Sequence, residues 1–498
     1  MQESFAWRIG VAVALLVGFY VAAIAIALGA LAIAVLQWTT DLPQNVWLTL
    51  ACVVTGFVIL TSIVPRRQRF EPPGPDLAQY RAPALHRMVG DVAERAEQEP
   101  PARIYLAPDV NAAVFQQGGL LGFGGKRVLV VGLPLIDSLT VRQLRAVIAH
   151  ELGHFYGGDT RLGPWFYRTY DALERTVIAL HEAESIWRKP FTWYLDFFLR
   201  RTAALKRRQE FLADELAARI AGRDAAIASL EETSKAAPAF HGFWSSEAAP
   251  VLDSGHRAPL LEGFRRFREG GAVSSALEEM LEEERKAEAD PYHTHPPLGE
   301  RIAALERLPV ALVPAGEGAD EPALSLLAEV DGFELDLVSF MAGEDVGHLR
   351  KISWENVPEQ VMLPGWRRFL EQHRQELARI DAASIPEHAG GAGAQKLAAR
   401  LVPASELPPE IDLQRGFAMG VLGSALGLAL HDAGWRVSAA LGEPVVFERG
   451  QHRIEPLRDI ERLGKGELAA EEWRRRCGEL GIADLPLAGA GEPAPSAA

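Results

Sequence analysis

The sequence predicts a mainly helical α+β protein with an N-terminal pair of membrane-spanning helices, a helical domain containing a small β-sheet, and a mixed α/β C-terminal extension. The first reason is that residues 9–36 and 46–64 are almost uninterrupted apolar runs. The second is that amphipathic segments and short β-rich segments follow them. The third is that 498 residues, 48% of them apolar, can bury two or three cores. We expect the limits of the three regions to be 1–70, 71–310 and 311–498.

Both apolar runs are predicted to be transmembrane helices, because at about 1.5 Å per residue each can cross a hydrocarbon layer of roughly 30 Å. A cleaved signal peptide is the alternative for the first run, but the run is long, its leading segment is hardly basic, and a second run follows at once. The connection 37–45 contains Asp41 and no Lys or Arg, whereas Arg66, Arg67 and Arg69 follow the second run. The positive-inside rule therefore predicts that both termini and the following domain lie in the cytoplasm. We expect an integral protein of a bacterial-type inner membrane.

Composition and several short segments limit the partners and sites expected for this protein. The net charge of −15 argues against nucleic acid as a partner. Two cysteines, Cys52 and Cys477, imply no disulfide framework and fit a reducing compartment. The glycine-rich residues 118–125 lack the spacing of a phosphate-binding loop, so a hairpin connection is the preferred interpretation. The elements expected around this connection are an amphipathic helix over 77–96 and strands over 103–106, 112–116 and 127–133.

A histidine pair lies in the next helical segment. The segment contains Ala149-His150-Glu151-Leu152-Gly153-His154. Thr140 and Gln143 are spaced as a capping box at its start, so the histidines are expected on one helix face, one turn apart. This spacing suits a zinc site in which Glu151 handles a metal-bound water. The alternative is a chance match on an ordinary amphipathic helix.

A catalytic zinc site needs a third protein ligand, and Glu210 is the candidate. It lies in a second helical segment expected from about Thr202 to a stop at Gly222. Asp214 follows one turn later on the same face, where its carboxylate could accept the remaining ring N–H of a ligating histidine. The alternative for both residues is a solvated acidic position on a charged helix.

Three motifs follow one another along the chain: His150-Glu-Leu-Gly-His154, Glu210-Phe-Leu-Ala-Asp214 and Thr294-His295-Pro296-Pro297-Leu298-Gly299-Glu300-Arg301-Ile302. Together they resemble the gluzincin zinc metallopeptidases that include HtpX-like heat-shock proteases and CAAX prenyl proteases. The resemblance covers roughly residues 75 to 308 and is far more specific than any single motif. It implies a zinc-dependent endopeptidase with one Zn²⁺ per chain, held by His150, His154 and Glu210.

The resemblance also implies roles for residues outside the ligand set. His295 and Arg301 would face the substrate and stabilise the oxyanion, and the Pro-Pro sequence favours His295 over the nearby His293. Asp159 matches an acidic position that often follows the first motif, although a solvated loop acid is the alternative.

The strand that begins with Asn111 and Ala112 would lie beside the zinc and pair with a substrate backbone. An edge strand that serves only the core is the alternative.

Two regions depart from the resemblance. Residues 190–208 are rich in aromatics and cations but too short and polar to span a membrane, so we expect them buried in the core in preference to lying on the membrane surface. Beyond about residue 309 no motif carries chemistry. The extension should contain a buried helix over 416–430, a β-meander between Trp435 and Pro456, and a final charged helix, and its role is either partner binding or bracing the peptidase.

The sequence therefore predicts a membrane-anchored zinc endopeptidase that acts on protein or peptide substrates beside the lipid bilayer. Glu151 would take the proton of the attacking water and return it to the leaving amine. By resemblance, the substrates would be damaged membrane proteins. The alternative from a different class is a catalytically idle peptidase fold that serves as a membrane-tethered binding module, but the intact Glu151 argues against it.

Overall fold

The chain folds into two compact units. The computed structural model describes residues 5–40, 44–64, 71–117, 125–155, 163–183, 185, 187–288, 295–309, 318–402 and 410–488. Unit 1 comprises Met1–Ala237 and Met280–Met341, and unit 2 comprises Pro238–Glu279 and Ala342–Ala498. The predicted limits at residues 70 and 310 are a different division of the chain, and they stay a prediction.

Unit 1 begins with the two predicted apolar helices, α1 (Phe5–Thr39) and α2 (Val46–Ile63). Asn45 caps α2 with its side chain, and the Trp38 indole on α1 donates a hydrogen bond to Thr49 on α2 over 3.0 Å. The two helices approach closely at Gly56, where a Cβ would lie 3.1 Å from the Ala27 carbonyl oxygen. Small residues thus let this hairpin pack tightly, as they do between helices in membranes.

The sheet and the helices around it follow. They are α3 (Pro83–Arg95), β1 (Arg103–Ala107), β2 (Ala112–Gln117), β3 (Lys126–Gly132), α4 (Leu133–Ser138) and α5 (Val141–Gly153). The three predicted strands are confirmed, in the order β1-β3-β2, with β1 parallel and β2 antiparallel to β3. Helix α3, predicted over 77–96, starts at Pro83 and not at Leu77, because proline is favoured at the first helical position. Within the described residues, the outer edge of β2 pairs with no strand.

Two long helices complete the middle of unit 1, α6 (Gly163–Glu182) and α7 (Arg188–Ala221). The predicted end of α7 at Gly222 is confirmed, but the helix begins 14 residues before the expected Thr202. Pro190 permits this early start because it lies in the first turn, where its missing N–H has no helical partner. The aromatic segment is therefore the start of α7. Phe191 and Phe198 are buried in a cluster with Phe19 of α1, as the burial expectation requires, whereas Trp193 is exposed.

Six α-helices, one π-helical turn and one short strand follow before residue 345 in the described part of the chain. They are α8 (Arg223–Phe243), a π-helical turn at Trp244–Ala248, α9 (Ala249–Asp253), β4 (His256–Arg257), α10 (Leu260–Glu269), α11 (Gly271–Lys286), α12 (Leu298–Glu306) and α13 (Val330–Ala342). The chain passes from one unit to the other within α8 and within α11.

Unit 2 is built around one apolar helix. Its C-terminal elements are β5 (Arg350–Lys351), α14 (Leu363–Glu371), α15 (Arg374–Leu377), α16 (Ile385–Ala389), α17 (Gly391–Leu401), α18 (Ile411–Asp432), β6 (Arg436–Ser438), β7 (Val446–Arg449), β8 (His452–Ile454), α19 (Pro456–Lys465) and α20 (Ala470–Leu480). The predicted meander is confirmed as the antiparallel sheet β6-β7-β8. The expected helix over 416–430 is longer, and Leu422, Leu426 and Leu430 bury it in the core of this unit.

Two expectations for the extension need correction. The sequence of residues 323–380 predicts possible strands and one helix over about 366–380, but β5 is the only strand described there and the helix is divided into α14 and α15. The single charged helix expected at the end is a pair, α19 and α20, separated by Gly466 in a left-handed conformation. Together with α1 and α2, α18 is one of three described helices long and apolar enough to cross a membrane.

Candidate metal centre

Helix α5 presents the histidine pair. The predicted capping box is formed, since Thr140 accepts a hydrogen bond from the Gln143 amide and the Gln143 side chain accepts one from the Thr140 amide. The cap fixes where the helix begins, and His150 and His154 then lie one turn apart with ring centroids 4.9 Å from each other. The two imidazoles therefore point to one region, as a shared metal ion requires.

A close contact between α5 and α7 brings the third ligand to this region. A Cβ at Gly153 would lie only 2.8 Å from the Cα of Ala213, so the two helices touch here without a side chain between them. Glu210 lies on α7 three residues before Ala213, and Asp214 lies one residue after it. Glycine at position 153 thus sets the separation of the two helices that carry the site. The motif alone does not predict this role of Gly153, because Ala213 is 60 positions away in the sequence.

Three side chains form the candidate ligand set. The Nε2 atom of His150 lies 3.6 Å from Oε2 of Glu210, and Nε2 of His154 lies 3.8 Å from Oε1 of Glu210. One ligand atom from each of the three residues lies within 4.8 Å of the other two. Donors at about 2.0–2.2 Å from a tetrahedral zinc are separated by roughly 3.4 Å. Two imidazoles and a carboxylate at this spacing fit a zinc ion in both chemistry and distance.

Asp214 and Arg301 support the ligand His150 from behind. The Nδ1 atom of His150 lies 2.9 Å from Asp214, which orients the imidazole so that Nε2 faces the site. Arg301 on α12 donates two hydrogen bonds to the same carboxylate, over 2.9 and 2.6 Å. Burial opposes the charge of Asp214, but these partners hold its pKa below the usual value. The predicted role of Asp214 as a partner of a ligating histidine thus has the geometry it needs.

The side chain of Arg301 has partners within the site itself. Its guanidinium is engaged with Asp214, its side chain is 14% exposed, and its Nη2 atom lies 3.9 Å from Glu210. This geometry favours a positioning role for Arg301. Sequence reasoning missed the pair with Asp214 because the two residues are 87 positions apart. Its proposed contact with the oxyanion stays a prediction.

Glu151 lies next to the first histidine in a setting that favours proton transfer. Burial raises the pKa of its carboxyl from 4.5 to about 7, against the influence of His150 and of a hydrogen bond from the backbone of Val114. A group with a pKa near neutrality can both accept and release a proton during turnover. Val114 belongs to β2, so this edge strand lies beside the predicted general base.

The electrostatics of the two histidines differ. Burial lowers the pKa of His150, but the neighbouring carboxylates of Asp214 and Glu210 outweigh it and raise the value to about 9. Burial and the neighbouring His150 lower the pKa of His154 to about 4. Since a metal binds the neutral imidazole, metal binding must displace the proton that the two carboxylates hold on His150.

Among the other predicted site residues, the structure describes His295, Asn111 and Ala112. His295 is exposed and its Nδ1 atom lies 3.1 Å from Oε2 of Glu210, so the fold brings it to the ligand set. Ala112 is the first residue of β2, and the preceding Asn111 accepts a hydrogen bond from the Ala112 amide through its side chain. Asp159 and His293 lie outside the described residues, and their predicted roles stay predictions.

Comparison with known proteins agrees with the motifs. Residues 79–308 match the model of peptidase family M48. A protease HtpX homolog from Methylacidiphilum infernorum is 27% identical over 244 residues, which cover 44% of this chain and 70% of that protein. A protease HtpX homolog from Paenarthrobacter aurescens is 26% identical over 304 residues, covering 57% and 92%.

A shorter and more similar match is protease HtpX homolog 1 from Saccharolobus solfataricus, 42% identical over 81 residues that cover 16% of this chain and 24% of that protein. No solved structure matches the chain significantly. The family match covers all three motifs predicted from the sequence, and the distances above bring their key side chains into one site. Residues 79–308 of this chain are therefore similar to peptidase family M48 and to the HtpX proteases.

Proposed function

We propose that this chain is a membrane-anchored, zinc-dependent endopeptidase. The observation that carries the proposal is the convergence of His150, His154 and Glu210, with Glu151 beside them and Asp214 behind them. A zinc ion held by the three ligands would polarise the scissile carbonyl and make the attacking water more acidic. One ion per chain fits the single ligand set found among the described residues.

The protein groups perform the remaining steps. Glu151 accepts a proton from the attacking water and delivers it to the leaving amine, for which its pKa of about 7 is suitable. His295 donates a hydrogen bond to the oxyanion from its exposed position beside Glu210. Arg301 holds Asp214, and through it His150, in place.

A peptide substrate would extend the small sheet. The outer edge of β2 is unpaired among the described strands and lies beside Glu151 through Val114. An extended peptide added there would form backbone hydrogen bonds that do not depend on its sequence. This mode suits a protease of unfolded segments, such as those of damaged membrane proteins.

The anchor in this proposal is the hairpin of α1 and α2, with two spans and the catalytic domain on the cytoplasmic side. The support is the length and apolar character of the two helices and the arginines that follow α2 in the sequence. The catalytically idle binding module remains the competing proposal.

The experiment compares wild-type protein with Glu151→Gln, as purified full-length chains in detergent, on a casein-like unfolded substrate with added zinc. Glutamine keeps the size of the side chain but cannot accept a proton, so cleavage should fall by about 10²- to 10⁴-fold. Zinc should remain at one ion per chain, and the exposed control Glu283→Gln should behave as wild type. Full activity of Glu151→Gln would refute the mechanism, loss of zinc would make Glu151 structural, and an inactive wild type would favour the binding module.

A further inference from the structure

Helix α7 connects the membrane hairpin to the metal centre without interruption. Near its start, Phe191 packs edge-on against Phe19 of α1 with ring centroids 6.3 Å apart, and the Tyr194 hydroxyl donates a hydrogen bond to the Leu15 carbonyl. Near its end, the same helix carries Glu210. Both ends are held by packing, so the helix has a defined position relative to the apolar helices and to the site.

The hairpin of α6 and α7 lies along the C-terminal half of α2. Arg175 on α6 donates a hydrogen bond to the Ser62 carbonyl in the last turn of α2, over 3.1 Å. Ser185, in the turn between α6 and α7, lies 3.2 Å from the Thr55 hydroxyl near the middle of α2. Arg175 on α6 and Tyr194 on α7 are almost equally far from the turn at Ser185, ten residues before it and nine residues after it, so the two residues lie at a similar level. Tyr194 is therefore level with the C-terminal end of α2, where the apolar span ends.

The residues that follow Tyr194 on α7 agree with this level. Arg200 and Arg201 come within two turns, and Lys206, Arg207 and Arg208 follow. Arg188 and Lys189, six and five residues before Tyr194, lie deeper, and their long side chains must extend toward the membrane surface. Positive side chains concentrate just outside the hydrocarbon layer, where they face anionic headgroups. The membrane surface on this side thus lies near Tyr194, and the rest of α7 extends away from it.

The distance from the membrane surface to the site follows from helix geometry. Glu210 is 16 residues beyond Tyr194, and at about 1.5 Å per residue this is about 24 Å along the helix. A tilt of as much as about 40° reduces the height to about 18 Å. The sequence from Phe191 to Ala221 contains no glycine or proline, the usual causes of a sharp kink. Contacts with α5, at Ala213 and through the bond from Arg142 to the Ala221 carbonyl, hold the far end.

We propose that α7 acts as a rigid spacer that restricts membrane-protein substrates to those whose scissile bond lies at least about six residues from the end of a membrane span. An extended chain covers at most about 3.3–3.6 Å per residue, so five to seven residues are needed to reach a site about 18–24 Å above the surface. The substrate class is an unfolded segment on the same side of the membrane as the site, tethered to a span. This inference rests on the proposed endopeptidase function.

The test uses full-length protein reconstituted in liposomes with single-span substrates. Each substrate carries the same cleavable casein-derived segment, placed 2, 6, 12 or 20 residues from the span by a Gly/Ser linker. A 12-residue linker of this kind has a mean reach of roughly 19 Å. Cleavage of the 2-residue substrate should be at least about tenfold slower than that of the 12-residue substrate, because a tether that cannot span the gap gives almost no effective concentration at the site. The 12- and 20-residue substrates should differ little.

The same tails, prepared as soluble peptides, test the endopeptidase function separately from the spacer inference. Wild-type protein should cleave all four soluble tails at the same rate. The Glu151→Gln variant should cleave none of them. Failure to cleave the soluble tails contradicts the proposed function itself. Cleavage of the soluble tails together with equal rates on all tethered substrates, or with no cleavage of any tethered substrate, overturns the spacer inference and leaves the endopeptidase in place.

Discussion

Replacing Gly153 with alanine should weaken metal binding by forcing two helices apart. The added Cβ would lie 2.8 Å from Cα and 3.0 Å from Cβ of Ala213, whereas carbon atoms in favourable contact are about 3.5–4.0 Å apart. Helices α5 and α7 would therefore have to separate by about 0.5–1 Å. Neither clashing atom belongs to a flexible side-chain end, so a rotamer change cannot relieve the contact.

The consequence for the site follows from the position of the ligands. His154 is the next residue on α5, and Glu210 is three residues before Ala213 on α7. Zinc sites hold their ligand distances to within about 0.2 Å, so the required shift exceeds what the site can absorb. We expect a loss of zinc affinity of about 10- to 100-fold, the size seen when support of a ligand is removed. The free energy of unfolding should fall by about 1–3 kcal/mol, as for other overpacked sites.

The assay is a competition titration of zinc against a chromophoric chelator, with the purified full-length protein in detergent. Gly90→Ala is the matched control, because Gly90 also lies within a helix, α3, but an added Cβ meets nothing within 4 Å. That variant should keep the wild-type zinc affinity and gain about 0.5–1 kcal/mol in stability from the higher helix propensity of alanine. Equal zinc affinity of Gly153→Ala and Gly90→Ala would refute the view that the contact with α7 sets the ligand geometry.

Three further changes test other parts of the structure. Glu210→Gln should greatly weaken zinc binding, because a neutral amide replaces the one anionic donor, and unchanged zinc occupancy would place the third ligand elsewhere. Arg301→Lys should lower zinc affinity by about 10- to 100-fold if Arg301 positions Asp214, whereas lower turnover with full zinc binding would instead favour the oxyanion role. Burial raises the pKa of Glu247 from 4.5 to about 7, so its contribution lowers the free energy of unfolding progressively as pH rises above the unfolded-state pKa. Glu247→Gln should therefore increase that free energy by up to about 3 kcal/mol near pH 8 and change it little near pH 4, as measured by urea titration, and an equal effect at both pH values would contradict the assignment.

Local sequence signals predicted the parts of the site that lie within single helices. The capping box at Thr140 and the apolar stripe of α5 determine where this helix begins, and the spacing of His150 and His154 then places both on one face. The stop at Gly222 and the three strands of the small sheet were predicted for the same reason, since caps and side-chain alternation act over a few residues. The ligand set also includes Glu210 on another helix, and its assignment depended on the pattern of three motifs.

Only the tertiary structure decided how these helices meet. The contact of Gly153 with Ala213 joins residues 60 positions apart, and the pair of Arg301 with Asp214 joins residues 87 positions apart. The early start of α7, which makes it long enough to connect the apolar hairpin to Glu210, also escaped prediction, because Pro190 reads as a helix breaker unless it occupies the first turn. Caps and periodicity act between neighbours in the chain, whereas the separation of two packed helices depends on side chains that are distant in sequence, and the metal-site geometry is set by that separation.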